Sequence, residues 1–322
     1  MAARVFIDGD AGTTGLQIRA RLAGRGDIAL IRLPEALRKD VAARRDALNA
    51  ADLVILCLPD AAAREAVALI ENPSVRVIDA STAHRTHPDW AYGFPEISPG
   101  SARRIAAATR VANPGCYASG AIALLRPLVR RGLVPPDYAI SINAVSGYSG
   151  GGRRLIARYE DGAAPDHIAS GFRSYALALE HKHVEEMRIH GGLGRRPLFL
   201  PAVGRFRQGM IVHAPLHLDL LPGRPKVADI HAALAAHYAG ARFVTLAERE
   251  ETAALEGLDA EALNGTNAMR LHVLGNQCYE HVVLVAVLDN LGKGASGAAV
   301  QNMNLMLGRA PEAGLETARA AA

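Results

Sequence analysis

A cysteine directly after an Asn-Pro-Gly turn is the residue of this sequence best suited to covalent chemistry. Asn113-Pro-Gly-Cys116 forces a turn, and an apolar helix pattern follows from Ala118 to Arg131. Cys116 is therefore expected at a helix N-terminus, where open N–H groups and the helix dipole lower the pKa of a thiol and hold an oxyanion. This predicts nucleophilic attack on a carbonyl or acyl phosphate. Cys57 and Cys278 fit buried structural cysteines instead.

A histidine-rich segment is the best source of the acid/base partner that such a nucleophile needs. Glu180-His181-Lys182-His183 is followed by Glu185 and Glu186. Imidazole can donate and accept a proton near neutral pH, so His181 is a candidate, although a structural histidine fits the spacing equally well. A His-x-His pair with a downstream carboxylate could also bind a metal, but it supplies too few ligands, and no metal is expected.

A glycine-rich turn near the N-terminus predicts a nucleotide site. Gly9-Asp-Ala-Gly12-Thr-Thr-Gly15 joins an apparent strand, Arg4–Asp8, to a helix pattern over Leu16–Leu22. Glycines at i, i+3 and i+6 allow a tight turn and let a pyrophosphate approach the helix N-terminus. The turn departs from G-x-G-x-x-G at Ala11, and it is not a P-loop. Its place after the first strand favours a dinucleotide-binding turn over a plain βα turn that binds no ligand.

The residues after the second apparent strand, Ile28–Ile31, indicate which dinucleotide is bound. An acid there would bind the ribose 2′-hydroxyl of NAD. Here Arg32 follows the strand, with Arg38 and Lys39 close behind. Cations suit a 2′-phosphate, although the charges of a solvated loop would look the same. The sequence therefore favours NADP(H).

The first 115 residues alternate between strand and helix patterns. The stretch Asp52–Leu58 is continuously apolar after its first residue, and Val75–Asp79 is a further apparent strand. The helix patterns Val41–Asn49 and Ala61–Ile70 separate the strands. Continuous apolar strands are typical of parallel sheets that are buried on both faces. We therefore expect a doubly wound, Rossmann-type α/β domain.

After Pro114 the pattern becomes that of a mixed α+β domain. Longer β-rich stretches surround a helix pattern at His231–Tyr238, and the chain ends in a helix pattern over Gly294–Leu307 and a frayed tail, 310–322. The predicted strands are Ala139–Ser146, Gly209–Leu221, Arg270–Leu274 and His281–Leu288. Large sheets often pack across a two-fold axis, so a homo-oligomer, dimer or tetramer, is expected.

Composition excludes several classes of protein. With 322 residues, 50% of them hydrophobic, and only three separated cysteines, the chain is neither disordered nor a disulfide scaffold. It has no apolar run of transmembrane length and no signal-peptide core, so no membrane association and a cytoplasmic location are expected. Its net charge of +4 is scattered in arginine pairs, which favours a small anionic substrate or cofactor over nucleic acid.

Five motifs that span nearly the whole chain resemble those of the N-acetyl-γ-glutamyl-phosphate reductases of the shorter bacterial type. The second and the last are specific in combination, whereas the glycine turn alone is weak. The motifs are Gly9–Gly15, Asn113–Tyr117, Ser146–Arg153, Glu180–His183 and Asp289–Asn304.

The resemblance implies a fold like that of aspartate-semialdehyde dehydrogenase. An NADP-binding domain would comprise residues 1–115 and 293–322, and a catalytic domain residues 116–292, with the C-terminal helix returning to the first domain. It also implies a reaction of arginine biosynthesis, in which NADPH reduces an N-acetylglutamyl phosphate to the semialdehyde. The reaction would pass through a thioester on the cysteine and release phosphate.

Residue roles follow from the same resemblance, together with the charges. Cys116 would be the nucleophile, His181 the acid/base group and Glu186 an orienter of the site, although Glu185 stands where the family often has proline. Arg85, just past a strand end, and Arg153 are candidates for the substrate's phosphate and carboxylate, against structural ion pairs. The expected cofactor-binding residues are Gly9, Gly12, Thr13, Thr14, Gly15, Arg32, Arg38, Ser81, Asn290, Gly292 and Gly294. The expected substrate-binding residues are Arg85, Asn113, Ser146, Gly147 and Arg153.

Three alternatives stay open at this point. Aspartate-semialdehyde dehydrogenase uses the same chemistry but resembles the second and last motifs less. An NADP-binding sensor would leave Cys116 without a role. The hypothesis of a basic nucleic-acid-binding module has still less support from the sequence. Alkylation of one thiol would inactivate an enzyme but leave a sensor or binder its ligand affinity.

Overall fold

A computed structural model describes residues 2–316, which divide into two compact units. The first unit comprises residues 2–95, 100–114 and 295–315, and the second comprises 96–99, 115–294 and Glu316. Residue 1 and residues 317–322, which include the end of the predicted tail and of the predicted first domain, lie outside the described residues. Within 2–316, no helix has the length and apolarity needed to cross a bilayer.

The chain forms thirteen strands and ten helices within the described residues. The strands are β1 (Ala3–Asp8), β2 (Ile28–Ile31), β3 (Leu53–Leu56), β4 (Arg76–Asp79), β5 (Ala91–Tyr92), β6 (Arg110–Ala112), β7 (Ser141–Gly147), β8 (Phe172–Ser174), β9 (Leu198–Gly204), β10 (Met210–His217), β11 (Val244–Leu246), β12 (Met269–Asn276) and β13 (His281–Leu288). The helices are α1 (Thr13–Leu22), α2 (Val41–Ala50), α3 (Asp60–Ala68), α4 (Ser101–Ala107), α5 (Cys116–Arg130), α6 (Gly152–Glu160), α7 (Val184–Gly191), α8 (Val227–Tyr238), α9 (Arg249–Ala253) and α10 (Gly297–Met306), with a π-helical turn over Gly292–Ser296.

The first unit is built on a six-stranded sheet in the order β2-β1-β3-β4-β6-β5. Every pairing in it is parallel. Helices cover both faces of this sheet: Val5 packs with Ile18 and Met303 on one side, and Phe6 packs with Leu48 on the other. Because both faces are buried, β3 is apolar at every position.

Helix α10 belongs to the first unit, although it comes last in the chain. Its residues Ala299, Val300 and Met303 join the same core as β1 and α1. The side chain of Arg25 also reaches it, with Nη1 donating to Asn304 Oδ1 at 2.7 Å. The prediction of a doubly wound sheet to which the C-terminal helix returns is confirmed.

The second unit contains a mixed sheet of seven strands in the order β11-β12-β13-β10-β7-β9-β8. Its two longest ladders are antiparallel and join β13 to β10 and to β12 over eight residue pairs each. Helix α5 packs on β10 and β13, where Gly120 lies so close to Val212 that a Cβ at Gly120 would be 2.8 Å from Val212 Cγ2. The predicted mixed α+β architecture is confirmed.

Candidate active site

Cys116 is the first residue of α5, two residues earlier than the apolar pattern predicts for the helix start. Gly115, at the N-cap, has no side chain to satisfy the first N–H groups. The peptide N–H and the hydroxyl of Ser119 both donate to Gly115 O, at 2.8 Å and 3.0 Å. The helix is buried along most of its length, whereas Cys116 itself is partly exposed. The candidate nucleophile therefore stands at the start of a buried helix whose first-turn amides have no side-chain cap.

Glu186 supports the turn that precedes Cys116. It lies in the first turn of α7, is 1% exposed, and accepts the Gly115 N–H on Oε1 at 2.8 Å. A carboxylate at a helix N-terminus complements the helix dipole and satisfies an N–H group that would otherwise lack a partner. The candidate orienter thus binds the backbone at the N-cap of α5.

The backbone fixes the proton position on His181. The N–H of His183 donates to His181 Nδ1 at 3.1 Å, so Nδ1 is an acceptor and the neutral ring carries its proton on Nε2. Nε2 lies 3.4 Å from the hydroxyl of Tyr175. The ring therefore presents Nε2–H as its donor.

Three aromatic residues without a role in the sequence analysis surround His181. The ring centroids of Tyr117, Tyr175 and Phe199 lie 5.8, 5.7 and 5.2 Å from that of His181, all edge-on. Burial raises the pKa of both tyrosines well above its usual value, and Cys116 adds to both shifts. Both hydroxyls therefore stay protonated, and that of Tyr117 donates to Ala202 O at 3.0 Å. No spacing pattern links these residues, since they come from α5, a loop and β9.

The loop that leads to His181 has two residues in a strained conformation. Ala176 and Leu179 have φ values of 54° and 58°, in the left-handed region that side chains other than glycine seldom occupy. A hydrogen bond of 2.9 Å from Leu179 N to Ala176 O closes the turn between them. Such strain persists only where the surrounding structure imposes it, as it often does near functional residues.

The π-helical turn packs against the cysteine, and Asn290 lies just before it. A Cβ on Gly294 would lie 2.7 Å from Cys116 Cβ, so only glycine fits there. Asn290, a candidate cofactor residue, uses both ends of its amide internally: Nδ2 donates to Ser149 Oγ at 3.0 Å and Oδ1 accepts Gly209 N–H at 2.8 Å. Its side chain therefore fixes the neighbouring loops.

The candidate substrate residues of the second unit lie at the end of β7 and the start of α6. Ser146 is buried and donates to Gly147 O at 3.1 Å, while Gly147 N–H donates to Gly209 O at 2.9 Å. Arg153 is an exposed residue in the first turn of α6.

In the first unit, the glycine turn fits a pyrophosphate. Gly9 has a φ of +91°, and a Cβ there would be 2.3 Å from Cys57 O. Helix α1 begins at Thr13 after Gly12, which supplies no side-chain cap, so its first-turn N–H groups are open. The buried hydroxyl of Thr13 also has no hydrogen-bond partner among the described residues. Open amides and an unsatisfied hydroxyl at a helix N-terminus are suited to bind an anion.

Of the two candidate cations for the 2′-phosphate, Arg38 lies beside this turn. Its Nε is 3.8 Å from Asp10 Oδ1, and Asp10 also accepts Arg19 Nη1 at 3.1 Å. Arg32 is exposed directly after β2.

The other two cysteines differ from Cys116 and partly from expectation. Cys57 lies just beyond β3 rather than within it, and burial, with the carboxylates of Asp79, Asp8 and Asp10, raises its pKa to about 12. Cys278 is exposed in the turn between β12 and β13, so the expectation that it is buried was wrong.

Ser81 and Arg85 follow β4 in a segment that a buried carboxylate organises. Asp79 is fully buried and accepts Ser81 N–H at 2.8 Å, Ser81 Oγ at 2.7 Å and His84 Nδ1 at 2.6 Å. Arg85 donates from Nε to Asn113 O at 2.9 Å and from Nη2 to Ala80 O at 3.1 Å. Two of its donors therefore hold backbone carbonyls.

The amide of Asn113 binds the segment that returns to the first unit. Its Nδ2 donates to Ala295 O at 3.0 Å, and its Oδ1 accepts from Asn302 Nδ2 at 3.1 Å. Asn113 is 1% exposed. Within residues 2–316, no group of three or more His, Cys, Asp or Glu side chains is arranged to hold a metal ion.

Comparison with known proteins places the chain in a family. The dimerisation domain of semialdehyde dehydrogenases matches residues 116–290, and the NAD-binding domain of the same enzymes matches residues 10–105. The chain also resembles the solved structure of aspartate semialdehyde dehydrogenase II from Vibrio cholerae complexed with ASA. The TM-score is 0.71 at 14% sequence identity, and the match covers 95% of this chain and 98% of that one. The NADP complex from Candida albicans has a TM-score of 0.66 at 13% identity, covering 95% and 99%.

Sequence identity decides between the two related families. Proteins of Brucella ovis and Brucella canis named N-acetyl-gamma-glutamyl-phosphate reductase are each 58% identical over 310 residues, which cover 96% of this chain and 100% of the relative. The aspartate-semialdehyde dehydrogenase alternative is therefore not favoured, since those structures share the fold alone. The chain belongs to the N-acetyl-γ-glutamyl-phosphate reductase family.

Proposed function

We propose that the chain catalyses the NADPH-dependent reduction of N-acetyl-L-glutamyl 5-phosphate to N-acetyl-L-glutamate 5-semialdehyde and phosphate, in arginine biosynthesis. Identity of 58% over the full length of relatives with this name supports the substrate. The observation that carries the chemistry is a cysteine at the open N-terminus of a buried helix, α5, in the same unit as His181.

In the first step the Cys116 thiolate attacks the carbonyl carbon of the acyl phosphate. A carbon–sulfur bond forms, the carbon–oxygen bond to phosphate breaks, and a thioester remains on Cys116. Negative charge develops on the carbonyl oxygen, and the first-turn amides of α5 are suited to stabilise it. Glu186 supports this geometry by holding the Gly115 N–H in place.

The thioester carbon would then be reduced by the hydride that bound NADPH supplies. For the next step His181 must be in its imidazolium form, so that Nε2 can give its proton to the resulting oxyanion and leave the ring neutral. The thiohemiacetal collapses to the aldehyde and returns the thiol of Cys116. His181 accepts the proton in the opposite direction of the reaction.

The cofactor role of the first unit rests on the glycine turn. Thr13, Thr14 and Gly15 would hold the pyrophosphate at the N-terminus of α1, and Arg38 and Arg32 the 2′-phosphate. The open first turn and the unsatisfied Thr13 hydroxyl support this assignment. We assign Ser81, Asn290, Gly292 and Gly294 to the cofactor as well, chiefly through their backbones.

The substrate's phosphate and carboxylate need cations, and we assign them to Arg85 and Arg153. Arg85 follows the end of β4, and ligands of doubly wound sheets bind beyond the carboxyl ends of the strands. Asn113, Ser146 and Gly147 complete the proposed substrate set. We also propose that the chain is a cytoplasmic homo-oligomer whose second unit provides the interface.

Kinetics in the reverse direction test the proposed reaction. Phosphate-dependent reduction of NADP is measured with N-acetylglutamate semialdehyde and with aspartate semialdehyde. We expect kcat/KM to be higher for the first by at least about 100-fold, since a site built for the N-acetyl group loses paired contacts without it. Equal or reversed preference would refute the proposed substrate, and turnover without phosphate would refute the acyl-phosphate chemistry.

A further inference from the structure

A buried ion pair lies in the second unit, among residues that the mechanism above does not use. Lys293 Nζ lies 3.0 Å from Glu96 Oε1 and 2.9 Å from Oε2. The two side chains are only 1% and 9% exposed. The ammonium group also lies 5.4 Å from the centroid of the buried Phe243 ring, and His237 Nε2 bonds the backbone oxygen of Glu96 at 3.2 Å. The pair is therefore enclosed on several sides.

Stability alone does not account for such a pair. Burial lowers the pKa of Lys293, and Glu96 opposes that shift. A buried ion pair is often no more stabilising than two apolar side chains of similar size, although loss of one partner alone is harmful. Two hydrogen bonds to one carboxylate do, however, fix the position of the lysine backbone more narrowly than apolar contacts would.

The backbone that this pair fixes is the one that touches the cysteine. Lys293 directly precedes Gly294, whose Cα packs on Cys116 so tightly that a Cβ would lie 2.7 Å from Cys116 Cβ. The N–H of Gly294 also donates to Asp289 O at 3.0 Å. A shift of Lys293 would therefore be transmitted to Gly294 and to the side of Cys116 that it packs against.

We propose that Lys293 and Glu96 are positioning residues for the nucleophile: their buried pair holds the Gly292–Gly294 segment against Cys116 and so fixes the thiol at the N-terminus of α5. The relevance of this role to turnover rests on the proposed function, whereas the positioning itself does not. Neither residue touches the reacting atoms.

The test measures the reactivity of the Cys116 thiol without substrate or cofactor. Iodoacetamide labelling is followed at the Cys116 peptide by mass spectrometry, in a Cys278→Ser background because Cys278 is exposed. The variants are Lys293→Met, Glu96→Gln and the double variant Lys293→Met/Glu96→Met. We expect each folded variant to label Cys116 about tenfold more slowly or worse and to lose about 100-fold in kcat, the effect of a misplacement near 1 Å.

Three comparisons keep the proposal falsifiable. Lys226→Met removes an exposed lysine of the same unit and should label at the normal rate. Glu96→Gln keeps the side-chain shape and one acceptor, so it carries the test if the other variants do not fold. The double variant separates stability from positioning, because it should unfold near the normal temperature and still label slowly.

Normal labelling in Glu96→Gln or in a stable double variant would overturn the proposal. Slow labelling in an enzyme that proves inactive on N-acetylglutamate semialdehyde would leave the positioning role standing and refute only the proposed function.

Discussion

Cys116 owes its expected reactivity to its place in the chain rather than to its residue type. It starts a buried helix whose first amides are open, whereas Cys57 lies among three carboxylates that, with burial, raise its pKa to about 12. Cys278 is exposed but stands in a turn with no helix terminus. Of the three thiols, only Cys116 has surroundings that favour a thiolate and an oxyanion together.

Replacement of Cys116 by serine should abolish most turnover. We expect Cys116→Ser to lower kcat by about three orders of magnitude or more, because an alkoxide forms far less readily than a thiolate. Steady-state reduction of NADP measures this. The matched variants Cys57→Ser and Cys278→Ser should keep most of their activity, and equal inactivation of all three folded variants would contradict the assignment.

Replacement of His181 tests the proton-transfer step. His181→Asn should lower kcat by about two to four orders of magnitude, the usual contribution of one acid/base group. Cys116 should still be acylated, since phosphate leaves without strong acid assistance, so intact-mass measurement should detect a trapped thioester.

His183→Asn is the control, because it keeps the backbone N–H that binds His181 Nδ1. If His183→Asn were the more damaging change while His181→Asn turned over normally, the acid/base group would be the other histidine.

At the scale of elements, the sequence predicts best what depends on neighbours in the chain. The apolar run of β3 and the Asn-Pro-Gly turn before α5 both carry their own signal, and both are confirmed. Strand β9 was not predicted, since it contains Pro201 and ends at Gly204, residues that disfavour a strand by local rules. It forms because β7 pairs with it over its whole length.

The environment of His181 was not predictable for a similar reason. Tyr175 and Phe199 reach it from a loop and from β9, and only the folded chain brings them together. The buried Lys293–Glu96 pair joins residues almost 200 positions apart and left no local pattern.

Arg76 shows how one side chain can hold two helix ends. Its guanidinium donates to Ala106 O, Ala108 O and Met306 O, at the C-termini of α4 and α10. Arg76→Met should lower the free energy of unfolding by about 2 to 4 kcal/mol, because several charge-assisted hydrogen bonds are lost and the carbonyls stay partly buried. Urea unfolding followed by circular dichroism measures the change.

Arg4→Met is the control for that experiment. Arg4 pairs with Asp52 on the surface, where an ion pair contributes about 0 to 1 kcal/mol. Equal destabilisation by the two substitutions would show that the helix-end contacts of Arg76 contribute no more to the free energy of unfolding than a surface ion pair.

The segment after β2 should decide the preference for NADPH over NADH. Arg38→Met should raise KM for NADPH about tenfold or more, since one charge-assisted contact contributes about 1.5 to 3 kcal/mol. KM for NADH should not change, because NADH lacks the 2′-phosphate. Arg45→Met, on the exposed side of α2, removes the same charge and should affect neither cofactor. A parallel rise in both KM values would contradict the role of Arg38.

At the scale of the whole molecule, fold and substrate separate clearly. Aspartate-semialdehyde dehydrogenases share this fold at 13% to 16% identity, whereas the relatives at 58% are named for a different substrate. The fold alone therefore does not decide the substrate, and individual side chains must select it.

The second unit leaves apolar side chains exposed on one face of its sheet, and we predict that a second copy of the chain covers them. Leu198 and Leu200 of β9 are 57% and 50% exposed and point away from the buried Phe199, and Phe172 on the edge strand β8 is 56% exposed. Burial of each leucine would contribute about 1.5 to 3 kcal/mol to association.

Light scattering after size exclusion should give the mass of a dimer or tetramer. Leu198→Lys/Leu200→Lys should lower that mass, whereas Leu255→Lys, at another exposed leucine of the unit, should leave it unchanged. A monomeric parent protein at micromolar concentration would exclude this interface.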